Sequence, residues 1–224
     1  MKYYKSAPAC LIFFFLVLIN HISAQVPVRF EPHHRVVLEN EYVRLIDVHI
    51  LPHDTTKTHI HAEASVIVFL SNAKIGTQIV GDSPVIADVK PAQIGYAEYD
   101  EKPITHKVWN QGDSLFHVMD IELLKKNPSN DSCAVLSENG FELKRTQKLV
   151  RVYNLHLVPG KKYQIGKSSC AHLLINVSGY SNAFSSNVIH SLAPETFIFF
   201  PPQRIVEITD NTKDNAECVL LEFK

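Results

Sequence analysis

Excess charge is the first thing this sequence lacks. Its 22 Lys and Arg residues stand against 23 Asp and Glu, for a formal net charge of −1, and no basic run exceeds a few residues. That removes the electrostatic footprint of a protein that binds nucleic acid or an anionic membrane surface, so the expected partner is a small molecule or a protein. Low-complexity segments are absent too, and 46% hydrophobic residues over 224 positions exclude a disordered chain. That length buries either one large β domain or two small ones. Helical periodicity is also missing, since no window sustains it over more than three turns.

Apart from its first 25 residues, "MKYYKSAPACLIFFFLVLINHISAQ", the chain has no long apolar run. Lys2 and Lys5 precede an apolar stretch of about a dozen residues and a Ser23-Ala24 pair, the pattern of a secretory signal cleaved before Gln25. A transmembrane anchor is the alternative, but the run falls short of the ~20 residues that span a bilayer, and Asn20 and His21 interrupt its end. The expectation is an exported protein, secreted or periplasmic, without membrane contact after cleavage. Loss of two lysines and no acid takes its net charge from −1 to −3.

Cysteine is scarce. Cys10 lies ahead of the apolar core of the leader, away from the cleavage site, which argues against a lipid anchor. Cys133, Cys170 and Cys218 remain, an odd number for an oxidising compartment, so at least one is unpaired or bridges between chains. The apolar settings of Cys170 and Cys218 suggest buried, unreactive thiols. Asn130 and Asn176 stand in N-x-S sequons that matter only in a eukaryotic secretory route.

What is present is a repeat. "VRLIDVHILP" (43–52) returns as "VRVYNLHLVP" (150–159), "VKPAQIGYAEY" from Val89 resembles "LAPETFIFFPP" from Leu192, and "MDIEL" resembles the closing "VLLEF". Each copy is a series of short β-branched and apolar runs bounded by Pro, Gly, Asn and Asp, which predicts an all-β barrel or sandwich per copy. The expected division is a leader over 1–24, a first barrel over 25–124, a connector over 125–140 and a second barrel over 141–224. "AVLSENGFELK", overlapping the connector, has the alternative of a hairpin. Each small unit has limited core, so the copies are expected to pack on one another; a dimer is compatible with this but not required.

Histidine carries the chemistry. About 0.6 H-x-H triplets are expected by chance from this composition, so "THIHAEA" (58–64) says little alone. On a strand, however, His59 and His61 point to one face with Cα atoms roughly 6.6 Å apart. His106 in "ITHKVWNQGD", followed by Asn110, lies several strands further on, where a closed barrel returns to the same interior. Three neutral imidazoles suit one divalent transition ion, Fe, Mn, Zn or Ni, with coordination positions left open. Proton competition would set in below an ordinary histidine pKa of ~6.5. Tyr96, Tyr99 and Gln93 stand near His106 in sequence and read as cavity lining or as packing. His49 and His156 recur in the repeat and read as packed or hydrogen-bonded.

These two segments resemble the paired motifs of the cupin superfamily, which supplies H-x-H and a later glutamate from one motif and a final histidine, in an H-x3-N context, from the other. The first copy resembles a cupin from about Val36 to Leu124; the second does so in outline. The resemblance implies tandem antiparallel jelly-roll-like (cupin) barrels, a metal at His59, His61 and His106, and a metal-dependent enzyme, dioxygenase- or isomerase-like, acting on a small organic molecule. A non-enzymatic binding module for a small molecule or metal is the alternative. The family's glutamate position holds Ser65 and Val66 here, and Glu63 is the only nearby carboxylate, hence the candidate catalytic acid or fourth ligand. Carried forward at the repeat's offset of 107, the H-x-H positions fall on Gly166 and Ser168, and the His106 region falls near Glu207. The second barrel is therefore expected to bind no metal, with Cys170 and His172 as core residues.

Overall fold

The computed structural model describes residues 25–125, 133–137, 140–210 and 215–224. The leader, Cys10 and the Asn130 sequon lie outside these residues, as does part of the connector.

The first half contains β1 (Val26–Pro27), β2 (His34–Glu39), β3 (Val43–Ile50), β4 (His59–His61), β5 (Ser65–Phe69), β6 (Ala73–Ile79), β7 (Val85–Val89), β8 (Ile94–Ala97), β9 (Ile104–Asn110) and β10 (Phe116–Leu123). They form two five-stranded sheets, β1-β4-β9-β6-β7 and β2-β3-β10-β5-β8. The second half contains β11 (Phe141–Thr146), β12 (Val150–Leu157), β13 (Lys162–Ile165), β14 (Ala171–Ser178), β15 (Ser181–Ser185), β16 (Val188–Leu192), β17 (Thr196–Phe200), β18 (Val206–Asp210) and β19 (Ala216–Phe223). Their sheets, β11-β12-β19-β14-β17 and β13-β18-β15-β16, reproduce the order of the first half. Two jelly-roll barrels stand in tandem, with no α-helix among the described residues. Pairing is antiparallel except between β1 and β4, where Val26 lies beside His59 in parallel. Of "AVLSENGFELK", the described residues form no hairpin: Phe141 onward is β11, which pairs with β12, and residues 133–137 carry no strand.

The central strands of both copies are buried on two faces, which is why their apolar runs are nearly continuous instead of alternating. On β3, Ile46, Val48 and Ile50 face the first interior, while Val43 and Leu45 join Met119, Ile121 and Leu123 of β10 in a core shared with Val150, Val152, Leu173, Ile175, Val219 and Leu221 of the second barrel. The largest apolar cluster thus lies between the barrels. Each side chain fully buried there contributes roughly 1.5–3 kcal/mol, which is how two small units stabilise one another.

The repeated Arg and the repeated closing Glu are cross-strand partners. Arg44 sits opposite Glu122 and donates to it at 2.6 Å; Arg151 sits opposite Glu222 at 2.5 Å. Both glutamates are buried.

Among the described residues the cysteines resolve into a Cys133–Cys170 disulfide and the free thiol of Cys218, correcting the reading of Cys170 as a thiol. It ties the segment ahead of β11 to the start of β14. Cys218 is buried and hydrogen-bonded to Asn176 Oδ1, and burial pushes its thiol up to about 12. Asn176 is itself fully buried, bonded to Gly179 O and Ser181 Oγ, so its sequon is closed to modification in the folded chain.

Candidate metal centre

β4 pairs with β9 so that His59 lies directly opposite His106. With His61 two residues along the same face, all three rings point into the first barrel. His59 Nε2 lies 3.1 Å from His61 Nε2 and 3.1 Å from His106 Nε2. That is the separation of neighbouring ligand positions around an ion with nitrogen bonds of about 2.1 Å. His59 Nδ1–H donates to Lys57 O at 2.8 Å, which leaves Nε2 with its lone pair inward. His106 Nδ1 is held by Thr77 Oγ1 at 3.3 Å. Burial pushes the ring pKa values down to about 4 for His59, about 2 for His61 and about 3 for His106. The rings are therefore neutral at pH 7, and His59 Nε2, with its proton on Nδ1, turns a lone pair toward the other two Nε2 atoms at 3.1 Å. The donor set fits a divalent ion.

Three groups that sequence reasoning passed over complete the surroundings. Asp120, from β10, brings Oδ2 within 3.4 Å of His61 Nδ1. His61 Nδ1 and both Asp120 oxygens are buried without a hydrogen-bond partner, and burial raises the Asp120 pKa to about 7. His34, from β2, puts its ring 4.7 Å from that of His59, with Nδ1 tied to Glu31 at 2.5 Å. Glu31 also accepts Lys57 N–H at 2.9 Å, so one buried carboxylate anchors both His34 and the loop whose carbonyl orients His59. Although burial opposes its charge, bonds from His34, His33 and two backbone N–H groups bring Glu31 down to about 2. No sequence motif links these residues.

The rings open on a cavity of about 280 Å³. Its walls are mostly apolar, among them Val48, Ile50, Phe69, Ile75, Phe116 and Val118, and no Lys, Arg, Asn or Gln among the described residues lines it. Tyr99 does, with its ring 5.1 Å from that of His61; burial first and Asp120 second push its hydroxyl up to about 12. Tyr96 instead packs against the inter-barrel core, and Gln93 is exposed, bonding Lys90 N–H in a turn.

Glu63 does not join the cluster. It is half-buried between β4 and β5 and lines no part of the cavity, and its charge is felt by Glu122. The carboxylate beside the triad is Asp120. Asn110 is structural: its amide donates to Ile50 O and Ser114 O and its oxygen accepts Gly112 N–H.

In the second barrel the residues facing His59, His61 and His106 in the repeat are Tyr163, Ile165 and Ile208, and Asp120 is matched by Leu220. All four lie in a packed core. This corrects the assignment to Gly166 and Ser168: the connection from β12 to β13 is four residues where that from β3 to β4 is eight, and the inward-facing residues of β13 stand 104 positions after those of β4, not 107. Glu207 points outward to Lys162 at 2.9 Å. Cys170 is in the disulfide, and His172 faces Glu222 at 3.4 Å. His156 is exposed between Glu142 and Glu217, not packed.

No family model matches the sequence, and no curated protein matches it. Among solved structures the chain superposes on AerE from Microcystis aeruginosa with 15% identity and a TM-score of 0.59, covering 88% of this chain and 99% of that one. It superposes on salicylate 1,2-dioxygenase from Pseudaminobacter salicylatoxidans with 9% identity and a TM-score of 0.62, covering 81% and 71%. A cupin 2 conserved barrel domain protein from Leptotrichia buccalis gives 10% identity and a TM-score of 0.57 over 85% and 88%. The chain has the cupin fold. In this double cupin the polar interior survives in one barrel only, and leaving His61 Nδ1 and both Asp120 oxygens buried without a hydrogen bond there is costly unless a ligand satisfies them.

Proposed function

We propose that the first barrel is a mononuclear divalent-metal centre held by His59, His61 and His106, and that the protein is a metal-dependent enzyme acting on a small organic molecule. The observation that carries this reading is the convergence of three neutral Nε2 atoms, 3.1 Å apart, at the wall of an otherwise apolar cavity. A bound ion supplies a Lewis acid with positions that three protein nitrogens leave free. The chain's own residues do the rest. The Lys57 carbonyl fixes the His59 ring, Glu31 fixes Lys57, Thr77 steadies His106, and the aliphatic walls exclude water. Asp120 stands ready to receive the His61 Nδ1 proton in a hydrogen bond. A dioxygenase named among the structural neighbours favours oxygen chemistry over isomerisation as the reaction class.

Export completes the proposal. Cleavage before Gln25 would leave β1, which begins at Val26 beside the His59 strand, intact. N-terminal sequencing of the exported form decides this; a mature chain that keeps Lys2 and Lys5 refutes it. For the metal, elemental analysis of protein from its native compartment should find one ion per chain, and oxygen uptake with co-purifying small molecules should separate the reaction classes. Absence of stoichiometric metal sinks the assignment.

A further inference from the structure

Resting on that reading, we propose that the cavity selects a neutral, chiefly apolar molecule bearing a hydroxyl or enol, that Asp120 receives its hydrogen bond, and that carboxylate-bearing molecules of the same size are excluded. Two independent observations point here. The first is Asp120 itself, buried in the cavity wall with neither oxygen partnered. His61 Nδ1, 3.4 Å from Oδ2, and the Ser65 hydroxyl are the protein donors beside this carboxylate; with about four lone-pair sites on its two oxygens, acceptor capacity is left for the occupant. A buried acceptor without a donor is expensive, and a hydroxyl on the occupant removes that cost.

The second observation is that, among the described residues, no Lys or Arg lines the cavity. His34 is the one basic ring on the wall outside the triad, and its Nδ1 is committed to Glu31. A carboxylate entering here would bring a charge to a low-dielectric space beside the Asp120 carboxyl with no partner beyond the metal itself. An alcohol brings a donor and no charge. Tyr99, 5.1 Å ring to ring from His61, closes the polar corner, and the remaining wall suits an apolar body.

The test uses Co(II)-loaded protein, titrated with benzyl alcohol and with benzoate, occupancy being read from the visible spectrum of the ion. Metal content is measured first on every sample. The alcohol should bind roughly tenfold more tightly than benzoate. Asp120→Leu, the residue type that the second barrel packs at the matching position as Leu220, should weaken the alcohol by roughly tenfold and strengthen benzoate. Asp120→Asn, should Asp120→Leu not fold, should strengthen benzoate by removing the charge. Benzoate binding as tightly as the alcohol, neither binding, or Asp120 variants that leave the ratio unchanged each overturn the proposal while the metal is present. A chain that takes up no Co(II) overturns the metal reading instead.

Discussion

Replacing His117 by Phe should reveal a charged clasp between the barrels. His117 faces away from the cavity, donating from Nε2 to Asp47 Oδ1 at 2.7 Å and from Nδ1 to Glu195 Oε2 of the second barrel at 2.9 Å. With both ring nitrogens on carboxylates the side chain is an imidazolium: burial opposes the charge, but these two bonds outweigh it and raise the pKa above 6.5. Asp47 also receives Arg35 at 2.7 Å and falls to about 2 in spite of burial. Glu195 is held at a left-handed φ of 64°, a conformation that costs of order 1–3 kcal/mol and must be offset by its contacts. Removing one partner of a buried ion pair costs about 3–5 kcal/mol. Here Asp47 keeps Arg35, and the Glu195 side chain is 44% exposed, so water replaces much of that bond; the expected loss is about 2–3 kcal/mol. The raised His117 pKa contributes stability that is fully present below 6.5 and lost as pH rises through the folded value. The lowered Asp47 pKa contributes stability present above 3.8 and lost as pH falls toward 2. Urea unfolding of wild type and His117→Phe should therefore differ most between about pH 4 and 6.5, with the gap narrowing at alkaline pH. Equal differences at pH 6 and pH 9 would refute the clasp.

Other consequences follow from the same geometry. His61→Ala or His106→Ala should strip most bound metal while the barrel stays folded, whereas His156→Ala, on the exposed face of β12, should leave metal content unchanged. Acid release of the metal should begin near pH 4, not at the ~6.5 of an ordinary histidine, because burial holds the highest of the three ring pKa values to about 4; half-release above pH 6 in a metal-content titration would contradict this. Gly76→Ala would place a Cβ 2.0 Å from the Trp109 ring. A loss of about 1–3 kcal/mol is expected, with a shift in the fluorescence of the chain's single tryptophan. Reducing Cys133–Cys170, which closes a loop of 37 residues, should cost about 3–4 kcal/mol by chain entropy, read as a lower urea midpoint.

Strand-length apolar runs and the VRLIDVHI/VRVYNLHL repeat, read alone, determined the two all-β barrels, because β periodicity and turn residues act locally. The same held for the shared face of His59 and His61, since an i, i+2 pair on a strand must point one way, while His106 was joined to them by the resemblance of its H-x3-N setting. Only tertiary structure decided the rest. Closing the barrel carried Asp120 and His34 to the triad from strands remote in sequence, and it left Glu63, four residues from the H-x-H start and past the end of β4, outside the cavity. A loop shorter by four residues moved the second copy's register, a change invisible to alignment on the flanking strand. The disulfide, the Arg44–Glu122 and Arg151–Glu222 pairs and the His117 clasp depend on which strand ends meet. No local pattern records that, because such contacts form only when chain segments far apart in sequence pack against one another.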